Sequence, residues 1–430
     1  MSSSQGNRWL IAIMGTVLQL VLGTVYAWSF FQKPIMTAYG WSNVQVAWIF
    51  SLAICFLGIG AAIGGVMLPK MGPKKLALAG ATLWGAGWLI GAFAMSTSSL
   101  VLLYIGYGVI GGLGLGLGYV TPVATAGKWF PDRYGFITGM VVMGFGLGAL
   151  LMSKLIAPMF MGMFAGDLVQ VFAYTGIVML VIGLIAASVM KNPPAGYVPE
   201  GYTPPVKAAN QANADSLTVK DCLTSSKFMR MWLIFFLNIA AGIMFIGFQS
   251  PLLQDLLKAG MDTATNFEDP AIIASLAAAG ATLIGISSLF NGIGRFFWGG
   301  LSDKIGRIQA FRLILGSQVL VFIALIFVSN PWIFGIMVCY VLLCYGGGFG
   351  TMPSFVGNVF TAKLMPVVYG TILTAWSMAG IVGPQIAAYL KDNFGKDAAT
   401  YTFATGAALL ILGVIIAFTL NNKSLADEKK

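Results

Sequence analysis

The sequence lacks histidine altogether and carries few charges of either sign. Charged residues make up 9% of the 430 residues, whereas an ordinary soluble domain carries about 25%. Without histidine, the commonest metal ligand and the commonest general base are both missing. These shortages argue against a soluble domain and against histidine-dependent catalysis.

The sequence also lacks cysteines at the spacing of a metal site or disulfide framework, and it lacks acidic residues within its apolar runs. The four cysteines show neither a zinc-site spacing nor a disulfide framework. No Asp or Glu falls inside an apolar run, and neither HExxH nor GxSxG occurs. We therefore expect no metal, no cofactor and no enzyme activity. The net charge of +10 is distributed over alternate loops, so we expect no nucleic-acid partner.

Long apolar runs are what the chain does contain, and 58% of its residues are hydrophobic. Runs of 18 or more apolar residues are typical of transmembrane helices. We expect the first run to be a retained helix that ends at Pro34. The predicted helices cover 9–31, 44–68, 76–96, 100–126, 136–160, 168–190, 229–249, 272–298, 310–328, 332–355, 367–390 and 401–420.

A polar, proline-rich stretch at 191–227 divides these runs into two groups of six. The pattern K-x-x-P-x-x-Y-G starts at Lys128 and again at Lys363, and a Lys-x-Gly turn starts at Lys70 and again at Lys304. Nearly equal offsets indicate a duplicated six-helix unit, which is a transporter pattern. We predict a first half at 1–190, a cytoplasmic linker at 191–227 and a second half at 228–430.

The loops differ in their content of basic residues. Eighteen of the 24 Lys and Arg residues fall on one side of the predicted topology. Because cytoplasmic loops carry the excess of basic residues, both termini are expected inside. The predicted location is the plasma membrane, in bacteria the inner membrane.

One charge lies within a predicted span. Arg295 shares a helix face with Ser287 and Asn291, each four residues apart. A charge at that depth costs about 3 kcal/mol on insertion scales, so it marks a candidate functional site. The alternative is that Arg295 snorkels to the membrane surface.

The end of this span carries a family motif. The run from Gly299 to Arg307 resembles the loop signature G-x-x-x-D-[RK]-x-G-R of the major facilitator superfamily. The resemblance implies an all-α fold of twelve transmembrane helices in two six-helix halves. We assign Asp303 and Arg307 to a cytoplasmic gate, together with Asp132 and Arg133 after the fourth helix.

A narrower resemblance rests on Asn291-x-x-x-Arg295, on Trp298 and on the run 128–133. It is to the oxalate/formate antiporter family and the related monocarboxylate transporters. It implies that Arg295 binds the substrate carboxylate. The other candidate substrate-binding residues are Asn291, Tyr119, Tyr345, Tyr26, Trp28, Phe349 and Trp376.

The chain departs from the oxalate transporter on helix 11, where Trp376 replaces a lysine that meets the second carboxylate. One cation suits one carboxylate. The resulting hypothesis is a monomeric secondary transporter of lactate- or pyruvate-like acids, coupled to protons by symport and working by alternating access. Carboxylate exchange of the oxalate/formate type is the alternative, because Asn291 cannot titrate. A channel fits a duplicated, asymmetric single chain with one site cation less well.

Overall fold

The computed structural model describes residues 7–202, 217–262, 265–360, 364–421 and 423–428. Within these ranges the chain is helical, with no strand, and twelve helices are long and apolar enough to cross a membrane. They are α1 Arg8–Tyr39, α2 Asn43–Met71, α3 Pro73–Ser96, α4 Leu100–Trp129, α5 Phe136–Met163, α6 Leu168–Ser188, α7 Ser226–Ala259, α8 Pro270–Ile305, α9 Arg307–Leu325, α10 Pro331–Val359, α11 Met365–Phe394 and α12 Ala398–Phe418. The predicted fold class is confirmed.

Several predicted helix ends differ from the structure, and α1 and α7 are two clear cases. Helix α1 does not end at Pro34 but continues to Tyr39, and Gly40 with φ of 68° closes it. Prolines are tolerated inside membrane helices because neighbouring helices and local backbone adjustments satisfy the freed backbone groups. Helix α1 also contains a 3₁₀ turn at Thr24–Ala27, seven residues before Pro34. Helix α7 runs ten residues beyond its predicted end at 249, as far as Ala259.

The stretch predicted as a linker is partly helical. A short helix, Val219–Leu223, begins at a capping box between Thr218 and Asp221. Helix α7 already starts at Ser226, inside the predicted linker. Residues 203–216 lie outside the described residues, as does Lys363 of the repeated loop motif.

The first six helices, α1–α6, meet the last six, α7–α12, along two seams. In one seam α5 packs against α8, and a Cβ on Gly146 would lie 2.7 Å from the backbone of Gly292. In the other seam α2 packs against α11, and a Cβ on Gly58 would lie 2.5 Å from the carbonyl oxygen of Leu373. Small residues allow membrane helices to approach this closely.

Helices α8 and α10 pack equally tightly within the last six. A Cβ on Gly346 would lie 2.1 Å from the carbonyl oxygen of Asn291, and one on Gly350 would lie 2.0 Å from that of Arg295. The glycines of α10 therefore fix the position of the α8 turn that carries Asn291 and Arg295.

Candidate functional site

Arg295 lies between the two groups of helices and is fully buried. Its Nε donates to Asn291 Oδ1 at 3.3 Å on the same helix. Its Nη1 donates to the hydroxyl of Tyr119 at 3.4 Å and to the carbonyl of Val142 at 3.2 Å, which are contributed by α4 and α5. The side chain points into the protein, so the snorkelling alternative does not describe it.

The guanidinium is incompletely satisfied. Its Nη2 has no hydrogen-bond partner, and no ion pair among the described residues includes Arg295. The three bonds that it makes are at or beyond the long end of the N–H···O range, about 2.7–3.2 Å. A buried, unpaired cation is costly. An anion that accepted bonds from this guanidinium would offset that cost.

Six rings surround the guanidinium and form what we call the aromatic cage. The Arg295 Cζ lies 4.7 Å from the ring centroid of Phe349 and 5.4 Å from that of Phe145. Trp376 packs on Phe349 at 4.5 Å, on Tyr119 at 5.2 Å and on Phe145 at 5.3 Å. The remaining members are Tyr26 and Tyr345, in contact with Phe145 and Phe349 respectively. Cation–π attraction stabilises the charge where no carboxylate does so.

The cage is closed by a hydrogen bond between the two groups of helices. The hydroxyls of Tyr26 and Tyr345 are 2.5 Å apart, and both rings are buried. Tyr26 lies in the 3₁₀ turn of α1, and Tyr345 precedes the glycines of α10. This bond joins α1 to α10 beside Arg295.

The structure does not bring Trp28, which was predicted to line the pocket, together with the cage. Its ring packs on Tyr107 at 5.0 Å, and Tyr107 in turn packs on Trp84 and Trp88. These rings belong to a separate aromatic cluster within the first six helices. The physical reason is the helical period, because residues two apart in a helix point in different directions.

Among the described residues, the four predicted gate residues form no ion pair between the two groups of helices. Asp303 pairs with Arg307 at the junction of α8 and α9. Asp132 pairs with Arg8 at 2.9 Å and lies 3.9 Å from Arg133, all within the first six helices. These pairs lie at the membrane face where α1 begins, which we call the terminal side.

Polar contacts between the groups instead occur at the opposite face, the far side, and the sequence analysis did not identify them. Lys33 donates to Gln254 at 2.6 Å, joining α1 to α7. Lys154 donates to Thr282 at 2.6 Å, joining α5 to α8. On the terminal side the groups touch through backbone, since a Cβ on Gly65 would lie 2.4 Å from the carbonyl oxygen of Pro366. The helix groups therefore touch on both sides of Arg295.

The space left beside the cage is small. A cavity of about 10 Å³ lies next to Tyr26 and Asn291, which is about the room for one water molecule. A three-carbon acid does not fit there, so its entry requires the helix groups to move apart.

The structure brings together seven of the eight residues predicted to bind substrate, all except Trp28. Three other residues near Arg295 or the small cavity were not predicted from the sequence. Phe145 carried no signal, because it is one apolar residue in an apolar helix. Tyr369 was visible in the repeated motif at the start of α11, and it is fully buried. Gln249 was visible as an amide inside an apolar run, where polar side chains are rare and expensive.

Comparison with known proteins adds relatives along most of the chain. The chain is 27% identical over 399 residues to the oxalate:formate antiporter of Oxalobacter formigenes, covering 92% of this chain and 87% of that protein. It is 26% identical to apicoplast pyruvate carrier 1 of Toxoplasma gondii, covering 87% and 73%. It is 24% identical to monocarboxylate transporter 13 of Bos taurus, covering 96% and 89%.

A solved structure has the same fold. It is an inward-facing, unoccupied bacterial homologue of the human lysosomal transporter Spinster, with a TM-score of 0.65, 15% identity and 97% coverage of each chain. The family model of the Major Facilitator Superfamily matches residues 10–384. With twelve spans, these transporter relatives and that match, the chain belongs to the Major Facilitator Superfamily and is a membrane transporter rather than an enzyme.

Proposed function

We propose that this protein transports small monocarboxylates of the lactate and pyruvate class. The observation that carries the proposal is the buried guanidinium of Arg295, which has an unbonded Nη2 and no carboxylate partner among the described residues. A guanidinium presents a planar fork that matches one carboxylate. The relatives named for oxalate and formate, pyruvate and monocarboxylates support the same substrate chemistry.

The charge of the cage favours one carboxylate over two. Trp376 packs against Phe349 in the wall of the cage, and none of the six cage residues adds a cation to that of Arg295. A second carboxylate in this cage would be buried without a partner, which costs several kcal/mol. We therefore place oxalate-like dianions second to monocarboxylates.

We propose proton symport by alternating access as the coupling, with anion exchange as the alternative. None of the described residues in contact with Arg295 is a carboxylate that could take a proton, so the proton would accompany the substrate carboxylate. One observation favours exchange: without an anion, the carrier must change conformation with Arg295 buried and unpaired. Labelled uptake driven by a proton gradient supports symport, and uptake that requires a carboxylate inside the vesicle supports exchange.

The arrangement in the membrane is part of the proposal. We propose that 1–190 and 228–430 are the two six-helix halves, joined by 191–227, in a monomeric protein. The terminal side is then cytoplasmic, as the distribution of Lys and Arg favours. The bacterial relatives suggest the inner membrane.

Oxalate is expected to compete poorly with labelled lactate uptake in proteoliposomes. At a pH where both oxalate carboxylates are ionised, burying the unpaired one costs about 3 kcal/mol or more. That cost corresponds to roughly a 100-fold weaker inhibition than by pyruvate. Inhibition by oxalate as strong as by pyruvate would show that the exchanger alternative is the better one.

The same assay tests the role of Trp376. Trp376→Lys supplies the missing second cation, so we expect inhibition by oxalate to strengthen relative to pyruvate. Trp376→Phe is the matched control, because it also shrinks the ring but adds no charge. An equal change in both variants would assign the effect to packing instead of charge.

Asp303→Asn is expected to lower the maximal transport rate and to leave the half-saturating substrate concentration near that of the wild type. The Asp303–Arg307 pair touches no cage residue and connects α8 to α9 on the terminal side. Its loss can therefore bias conformations without removing a ligand contact. Asp269→Asn at the other end of α8 is the control, since asparagine caps a helix as well as aspartate does. A change confined to substrate affinity would contradict a gating role.

A further inference from the structure

Ser287 and Gln249 form a buried polar pair about one helical turn from Asn291, toward the start of α8. Ser287 on α8 donates a hydrogen bond to Gln249 Oε1 on α7 at 2.6 Å. Their exposed fractions are 0% and 2%. Polar side chains inside membrane helices are expensive and therefore suggest a functional role. The aromatic cage and the ion pairs described above do not use this pair.

The pair faces the small cavity rather than the packed interior. Gln249, Ser287 and Ser288 line the cavity of about 10 Å³ together with Asn291 and Tyr26. Tyr26 belongs to the first six helices, and the other four residues belong to the last six. The cavity therefore lies between the two groups and would enlarge when they separate.

The spacing along α8 places this pair within reach of a ligand held by Arg295. The Arg295 side chain folds back one turn, since its Nε donates to Asn291 Oδ1. Ser287 is four residues further toward the start of α8, about 6 Å along the axis. Two hydrogen bonds of about 2.9 Å nearly cover that distance. A ligand that bonds both to Arg295 and to Ser287 must therefore carry its two polar groups close together.

We propose that Gln249 and Ser287 form a subsite for a hydroxyl or keto oxygen on the carbon next to the substrate carboxylate. This inference rests on the proposed function, because Arg295 must hold the carboxylate. An amide and a hydroxyl can each donate and accept, so the pair can bind either oxygen. The protein then selects 2-hydroxy and 2-oxo acids over unsubstituted acids of the same length.

Lactate and propionate are the matched substrates, because they differ only in the hydroxyl on that carbon. One hydrogen bond contributes up to about 1.5 kcal/mol net, so the wild type should prefer lactate about tenfold. Gln249→Leu and Ser287→Ala should each raise the KM for lactate and leave that for propionate near the wild-type value. Gln318→Leu is the control, since it removes a buried glutamine that bonds to Asn238 outside the cage.

The outcomes separate this inference from the proposed function. If the variants lose lactate and propionate uptake in equal measure, or if the wild type shows no preference between the acids, the subsite assignment is wrong and carboxylate transport stands. The wild-type comparison decides the matter even if a variant fails to fold. If the wild type transports neither acid, both the proposed function and the subsite are wrong.

Discussion

Arg295→Lys is expected to lose at least about 99% of lactate uptake at matched expression, and Arg295→Ala to lose more. The structure gives the reason, because Nε and Nη1 already contact Asn291, Tyr119 and Val142 while Nη2 is unbonded. A lysine ammonium keeps the charge but cannot keep those contacts and also present two donors to a carboxylate. Loss of one partner from a buried charged pair costs about 3–5 kcal/mol, equivalent to 100-fold or more.

The measurement is initial uptake into proteoliposomes together with substrate binding to the purified variants. Arg312→Lys is the matched control, because Arg312 lies on α9 and contacts α12 at Ala417 and Phe418, away from the cage. Near-normal uptake by Arg295→Ala would remove the basis of the proposed function.

Gly350→Ala is expected to destabilise the protein and to abolish uptake together. The added Cβ would lie 2.0 Å from the Arg295 carbonyl oxygen and 2.8 Å from its Cα. The contact is with backbone, so α10 must move away from α8 instead of rotating a side chain. Overpacking typically costs about 1–3 kcal/mol. We expect the unfolding midpoint in detergent to fall by roughly 5 °C.

Gly357→Ala on the same helix is the control for helix propensity. A Cβ at Gly357 meets nothing within 4 Å, and alanine is favoured over glycine in a helix by up to about 1 kcal/mol. This variant should be as stable as the wild type or more stable, and it should retain uptake. Equal stability of both variants would show that α8 and α10 are not held together as closely as described.

The sequence was sufficient to predict which residues share a face of one helix. Arg295 and Asn291 are four apart on one apolar run, so their common face followed from helical geometry alone. The same geometry argued against grouping Trp28 with Tyr26, because the two are only two residues apart. The resemblance grouped the two residues, but the helical period turns their side chains in different directions.

Contacts between distant helices could not be predicted in the same way. Phe145 stacks under Arg295 because α5 crosses α8 at Gly146 and Gly292, and no local pattern specifies that crossing. The acidic and basic residues near the helix ends could be read from the sequence, but their ion-pair partners could not. Asp132 pairs with Arg8 more than a hundred residues away, and only the packing of α1 against the start of α5 brings them together.

The Gly146–Gly292 contact has a mechanical consequence. Two helices that touch through backbone at glycines can rotate relative to each other about that contact, which then acts as a pivot. Gly292 is adjacent to Asn291, so this pivot lies at the depth of the guanidinium. A rotation of a few degrees leaves Arg295 almost stationary, while the two ends of α8, which lie roughly 20 and 33 Å from Gly292, move much further. Under the alternating access that we propose, the bound anion would stay in place while the permeability barrier moves from one side of it to the other.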